Sequence, residues 1–252
     1  MTTIRAVEDS LSYLKLNASL AYVKDLYRQD QITEAQLKCL RAVLEEQVRE
    51  KMESTRQYNV KVAGFPFQKT LDDYEFEFQP TLNAEKIKAI SESNFYETGE
   101  NIIFLGLPGT GKTHLSVALG ISVASRRNSV YFIKFNKLVS NLREAYHENR
   151  LDTKLKLYSK YKLLIIDEVG FSEISQLETK LFFQLIDLRY EKKSTIVTTN
   201  VTFDKWPTIL GKDEMITKAI LDRLLHHSYL FNISGPSYRL KDKIKMNKSG
   251  ES

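Results

Sequence analysis

Cysteine is nearly absent from this chain. Cys39 is the single thiol in 252 residues, which excludes an intramolecular disulfide. It falls on a leucine-rich helical pattern, where a buried small hydrophobe is expected. Long apolar runs are also missing. None approaches the ~20 residues that span a bilayer, so no membrane partner is expected. Glu8 and Asp9 stand early and no compact apolar stretch accompanies them, so no secretory signal is read and the cytoplasm is the expected location. Internal repeats and low-complexity tracts are lacking too. What remains is ordinary globular composition, 42% hydrophobic and 27% charged. The length allows one large domain, or a medium domain with a small one. A net charge of +5 and a pI near 9.0 are compatible with nucleic acid without requiring it.

Two helical patterns open the chain. Leu11, Leu14, Leu20, Val23 and Leu26 suggest one helix. A second starts at Thr33, where Thr33 and Gln36 form a capping-box pattern, and continues through Leu37, Leu40, Leu44 and Val48. The highly charged stretch from Glu45 to Lys61 is expected to be exposed. Residues 1–65 therefore read as a small helical domain, too small to be robust alone and suited to docking on something. Gly64-Phe65-Pro66 breaks the pattern. Residues 66–82 read as an extended linker, rich in aromatics and acids. A helical pattern runs from about Asn83 to Tyr96. Beyond it, strands are expected at Ile102–Leu105, Val130–Ile133, Leu163–Ile166, Thr195–Thr198 and Leu230–Ile233, with helical patterns between. That alternation implies an α/β domain with a parallel five-stranded sheet covered on both faces, over residues 83–245. A lysine-rich tail follows, and residues 246–252 are expected to be disordered.

One stretch carries specific chemistry. Gly106-Leu107-Pro108-Gly109-Thr110-Gly111-Lys112-Thr113 fits the P-loop pattern, between the apolar run Ile102–Leu105 and an amphipathic helix bearing Leu115, Ala118, Leu119 and Val123. Strand, glycine turn and helix N-terminus aim a row of backbone N–H groups at one anion. Gly106, Gly109 and Gly111 allow positive φ and close approach to phosphate. Lys112 would reach the β- and γ-phosphates of ATP, and the Thr113 hydroxyl would bind Mg²⁺. The second acidic site that such a loop needs is supplied by Leu163-Leu164-Ile165-Ile166-Asp167-Glu168. Asp167 would hold magnesium, directly or through water, and Glu168 would orient the attacking water. Two adjacent acids point to hydrolysis rather than nucleotide storage. Asn200 closes the following strand, where its amide could bond the γ-phosphate or the water. Arg223 and Arg239 have guanidinium forks suited to phosphate, but spacing alone does not separate that role from a surface ion pair.

These residues resemble one family. Gly111-Lys112-Thr113-His114-Leu115, Leu164 to Gly170, Thr198-Thr199-Asn200, Ile220 to His227 and Gly235 to Leu240 together look like the IstB-like ATPases. These are transposition helpers of bacterial insertion sequences, related to the DnaC and DnaI helicase loaders within the AAA+ superfamily. Phe65-Pro66 with Lys69-Thr70-Leu71 is similar to the family's linker. The resemblance implies an AAA+ fold and a homo-oligomeric ring or spiral with ATP at subunit junctions. It implies that Arg223 is an arginine finger acting on a neighbour's ATP, that Arg239 is a sensor contacting the γ-phosphate in its own subunit, and that Asn200 is the other sensor. It also implies that the N-terminal helices bind other proteins or organise the assembly, and it implies a transposase partner, with a replicative helicase bound through those helices as the alternative. Pro236 departs from the pattern, where an acidic residue is common.

Between the second and third strands, basic residues outnumber acids from Arg126 to Lys162. Such a stripe suits DNA phosphates, and the interleaved Tyr146, Tyr158 and Tyr161 suit stacking on unpaired bases. The resemblance adds weight, because AAA+ initiators and loaders carry an extra helical element there. Arg143, Lys154 and Lys156 are the expected DNA contacts. His226 and His227 are adjacent. Neighbours on a helix point about 100° apart, so a shared metal ion is not expected. Trp206 reads as packing, and His114, the last residue of the expected nucleotide-binding stretch, as a structural residue on the P-loop helix.

Overall fold

The computed structural model describes residues 2–240; the tail expected to fray lies outside them. The chain divides into two compact units, Met1–Tyr58 and Asn59–Ser252. No helix among the described residues is long and apolar enough to cross a membrane.

The first unit holds α1 (Thr3–Leu14), α2 (Asn17–Arg28) and most of α3 (Glu34–Val62). The expected single opening helix is two. The chain turns at Lys15, whose φ is 60°, and the Leu16 N–H closes back on the Leu11 carbonyl. This is a left-handed helix stop, made here without the usual glycine. The six-residue step from Leu14 to Leu20 concealed it. The expected capping box forms: Thr33 N–H donates to Gln36 Oε1 at 2.8 Å and Gln36 N–H to Thr33 Oγ1 at 3.3 Å. Val7, Leu11, Val23, Leu37 and Leu44 make a small core. Cys39 is exposed, contrary to expectation. It lies two residues, about 200°, around the helix from buried Leu37.

The second unit is built on a parallel sheet. Its elements after α3 are α4 (Ala84–Glu92), α5 (Phe95–Thr98), β1 (Asn101–Gly106), α6 (Lys112–Ser125), β2 (Val130–Lys134), α7 (Phe135–His147), α8 (Leu151–Lys160), β3 (Leu163–Val169), α9 (Gln176–Arg189), β4 (Ser194–Thr199), α10 (Trp206–Ile209), α11 (Glu214–Leu225) and β5 (Ser228–Ile233). All five expected strands are present, each longer by one to three residues. The helix expected over Asn83 to Tyr96 breaks at Ser93, whose backbone is extended and whose hydroxyl bonds the Ile90 carbonyl. Strand order is β2-β3-β4-β1-β5, all parallel.

Both sheet faces are apolar because a parallel sheet is covered twice. Ile102, Phe104, Leu163 and Ile165 face one core with α6, while Ile103, Leu164 and Ile166 face a second with α7, α9 and α11. The outer edge of β2 is met by the chain just past α3, where Phe132 N–H donates to the Ala63 carbonyl at 2.8 Å. Trp206 is buried, as its packing role requires. Fully buried Arg189 spends its donors on Thr195 Oγ1 (3.1 Å) and the carbonyls of Tyr158 (2.8 Å), Tyr161 (2.9 Å) and Ser194, which fixes the end of α8 against β4.

Candidate functional site

The site forms where β1, β3 and β4 end. The loop after β1 turns into α6 with Gly109 at φ 83° and Gly111 at φ 92°. Gly106 has no positive φ. Its requirement is space, since a Cβ there would stand 2.3 Å from the Ile233 carbonyl oxygen. Lys112 Nζ donates to the carbonyls of Gly106 and Leu107, both at 2.7 Å. Its pKa is lowered to about 8 by desolvation, against the opposing pull of Asp167 and with a further push from the nearby Arg239 guanidinium. Leu107 and Pro108 are exposed at the loop's tip.

The acids are placed by a β-bulge. β3 and β4 pair Ile166 with Val197 and next Val169 with Thr199, so Asp167 and Glu168 together oppose Thr198. Thr198 staples both. Its hydroxyl donates to Asp167 Oδ1 at 2.6 Å and accepts the Glu168 N–H at 2.8 Å. Asp167 is 1% exposed and also accepts from Thr113 Oγ1 at 3.0 Å. Burial raises its pKa, and the Thr198 and Thr113 hydrogen bonds oppose the rise. Glu168 takes the bulge's left-handed backbone, φ 62°, and its carboxylate meets Lys134 Nζ at 2.9 Å. That contact raises the Lys134 pKa, chiefly by hydrogen bonding. Asn200 lies exposed just after β4.

Two tyrosines grip the loop, and composition gave no hint of either. Buried Tyr74 donates to the Thr110 carbonyl at 3.2 Å, and Tyr238 N–H donates to the Gly109 carbonyl at 2.9 Å. Their rings lie 5.7 Å apart. Desolvation raises the Tyr74 pKa. His114 Nε2 is 3.0 Å from the Thr70 carbonyl, with its ring edge-on to Phe67 and Tyr74. Residues 67–75 are thereby packed against the loop. Between them opens a cavity of about 530 Å³, lined by Phe67, Gly109, Gly111, Lys112, Thr113, Tyr238 and Arg239 among others. Arg239 thus sits at the same cavity as Lys112. A tyrosine flanked by charged residues in a segment without periodicity offers no pattern that could have been read.

Arg223 is elsewhere. Asn101, the first residue of β1, donates to the carbonyls of Leu224 (3.2 Å) and Arg223 (3.4 Å), whereas the loop begins at Gly106, the last. Five strand steps separate them, about 17 Å, beyond the reach of one arginine side chain. Arg223 donates to Asp187 at 2.7 Å and lies over the Phe183 ring at 4.8 Å.

The basic stripe is α7 and α8. Arg150, Lys154, Lys156 and Lys160 line a groove of about 390 Å³ together with Ala145, Thr153 and Leu157. Arg143 lies outside that lining and pairs with Glu178 at 3.0 Å. The tyrosines separate. Tyr158 is 2% exposed and Tyr161 stacks on Tyr131 at 5.0 Å, so both serve packing, and Tyr146 alone of the three is well exposed. Tyrosines spaced along a basic helix look alike in sequence whichever face they take. The histidine geometry also differs from expectation. Both histidines lie past the end of α11 at Leu225, and their ring centroids stand 4.0 Å apart. Glu191 Oε1 is 3.6 Å from His226 Nδ1 and 3.5 Å from His227 Nε2.

A family described as IstB-like ATP binding protein matches residues 10–246. The chain is 51% identical over 183 residues to the protein assigned as ATP-binding in insertion sequence IS232 of Bacillus thuringiensis subsp. berliner, covering 73% of each. It is 43% identical over 186 residues to the corresponding protein of insertion sequence IS21 from Pseudomonas aeruginosa, covering 74% of this chain and 70% of that one. Among solved structures it is similar to the DnaC helicase loader, with a TM-score of 0.54 and 26% identity over 65% of this chain and 96% of that one.

Proposed function

The chain belongs to the IstB-like ATP binding proteins and is an ATPase of the AAA+ type, and from that premise we propose that it is an ATP-driven assembly factor that grips DNA and recruits a transposase. The observation that carries the catalytic half is the hydrogen-bonded run Thr113–Asp167–Thr198, ending at Glu168, beside the Lys112 loop. In this reading the loop amides from Gly106 to Thr113 cradle the phosphates, and Lys112 leaves its carbonyl partners to meet the β- and γ-oxygens. Arg239 reaches the γ-phosphate from its own subunit, and Asn200, exposed just after β4, bonds the attacking water.

Magnesium fits the donors present. Thr113 Oγ1 and Asp167 Oδ1 are hard oxygens 3.0 Å apart, close to the ~2.9 Å edge of an octahedron with bonds of about 2.0–2.1 Å. When bound, the ion supplies positive charge against the phosphate oxygens. Glu168 orients the water and takes its proton as the water oxygen bonds the γ-phosphorus. The bond to the β,γ-bridging oxygen breaks, and ADP leaves with that electron pair.

Arg223 stabilises charge on the γ-phosphate of a neighbouring subunit. Its place at the opposite end of β1 supports action between subunits, because one chain cannot bring it to its own loop. DNA lies along α7 and α8, where Lys154 and Lys156 line the groove and Arg143 would have to give up Glu178 to join. Hydrolysis then acts as a timer: the ATP-bound oligomer holds DNA, and turnover releases it. The likeness to DnaC supports a second reading, loading of a replicative helicase through the N-terminal helices. Affinity capture with a transposase of the insertion-sequence class, against a replicative helicase, separates the two. The central test is Glu168→Gln with ATP and DNA. Nucleotide binding should persist, turnover should fall ~10²–10⁴-fold, and DNA complexes should accumulate on electron microscopy grids. Release as fast as in the unaltered protein would refute the timer.

A further inference from the structure

The end of the sheet opposite the nucleotide loop carries a second cluster of donors. Glu191 follows α9, and His226 and His227 follow the last turn of α11. Their ligand atoms all lie within 4.8 Å of one another, and two of the three separations are 3.6 and 3.5 Å. A tetrahedral Zn²⁺ with bonds of about 2.0–2.1 Å needs donor–donor edges of about 3.3 Å. A few tenths of an ångström of side-chain movement close the difference for those two separations, and the imidazole pair, within 4.8 Å, closes by up to about 1.5 Å through side-chain rotation. The backbone beneath is fixed, because the His227 carbonyl accepts the Asn101 N–H of β1 at 2.7 Å.

From this geometry we propose that Glu191, His226 and His227 form a binding site for a transition-metal dication of the Zn²⁺ class. Two imidazoles and one carboxylate select such an ion over magnesium or calcium, which prefer all-oxygen sets. All three side chains are about half exposed, which leaves the fourth position to solvent. The nearby guanidinium of Arg223 is neutralised by Asp187. Tyr190 Oη is 2.6 Å from His226 Nδ1. The same hydroxyl also hydrogen-bonds the Glu191 carboxylate, so a bound ion displaces the tyrosine from both ligands. The site stands on its own geometry and not on the nucleotide reading.

The test is titration of the full chain with Co²⁺, without nucleotide or magnesium, followed by visible absorption. One equivalent should bind with the bands of a four-coordinate ion, and Zn²⁺ should displace it. His226→Ala, His227→Ala and the isosteric Glu191→Gln should each weaken uptake by more than about 10-fold, the loss that even an outer partner of a metal ligand causes. His147→Ala, on α7, should leave it unchanged. Tyr190→Phe should bind at least as tightly, since a competitor for Nδ1 is gone. Melting curves confirm that each variant is folded. No uptake by the unaltered protein, or uptake indifferent to both histidine variants, overturns the proposal. It is independent of ATP turnover, so either reading can fail alone.

Discussion

The two ends of the sheet solve opposite problems. At the loop end, Thr113, Asp167, Thr198 and Glu168 bond to one another, and a cation lies close at hand in Lys112 or Lys134. Asp167 is nearly inaccessible there, so position is set within one chain. At the far end Arg223, Glu191, His226 and His227 are half or more exposed apart from Arg223, and their partners are other surface groups. A buried, mutually satisfied cluster acts with what its own fold provides, since each group's geometry is over-determined. An exposed one leaves room to be finished by something else, which is what the proposals for Arg223 and for the histidine pair require.

The contrast can be broken by experiment, beginning at the loop end. Lys112→Ala should abolish nucleotide binding, read by titration with a fluorescent ATP analogue, because among the described residues no other ammonium shares the carbonyls of Gly106 and Leu107. Retained binding would mean that the amides suffice. Arg223→Ala should cut turnover by ~10³–10⁵-fold while a single subunit still binds ATP. Mixing it with Lys112→Ala subunits should restore part of the activity, since one lends the arginine and the other the loop. Failure of every mixture to recover would place Arg223 within its own subunit's chemistry or outside it altogether.

Thr198→Val sharpens the comparison at smaller scale. It keeps the shape of β4 but strips buried Asp167 of one donor and the Glu168 N–H of its acceptor. A loss of about 1–3 kcal/mol is expected in chemical unfolding, the cost of leaving buried polar groups unmatched. The equivalent far-end change, Asp187→Asn, should cost less, because its partner reaches solvent. The smallest effect concerns pH. Desolvation lowers Lys112 to about 8, so the folded protein binds fewer protons there than the unfolded chain between that value and the usual lysine range. Stability therefore gains as pH rises through that window, and the gain is absent below about 8. A triphosphate favours the charged form, so ATP binding at pH 9 should take up a proton. Calorimetry in buffers of different ionisation enthalpy would show it, and proton release would contradict it.

Much of the loop end was legible beforehand. The strand positions followed from apolar runs, the loop from its glycines, the acids from the end of β3, and the Thr33–Gln36 cap from its spacing. Each is a short-range feature, set by residues within a few positions of one another. The failures were of another kind. Cys39 faced outward because a helix has a second side. Tyr158 and Tyr161 turned inward to Tyr131. Tyr74 and Tyr238 arrive at the loop from sequence positions 164 apart, and no local pattern marks a meeting of that sort. The histidine pair was read as helical, whereas α11 stops at Leu225 and the two rings lie 4.0 Å apart.

Sequence by itself determined which groups this protein possesses and which local geometries they adopt: a glycine turn entering a helix, and an acid pair closing a strand. Those outcomes depend on backbone sterics and on periodicity, which neighbouring residues settle among themselves. Tertiary structure alone decided the company each group keeps. A bulge opposite Thr198 aims two carboxylates, two distant tyrosines hold one loop, and the length of β1 separates Arg223 from Lys112. Such relations arise when sheet and helices pack, because packing joins residues that the chain's order leaves far apart.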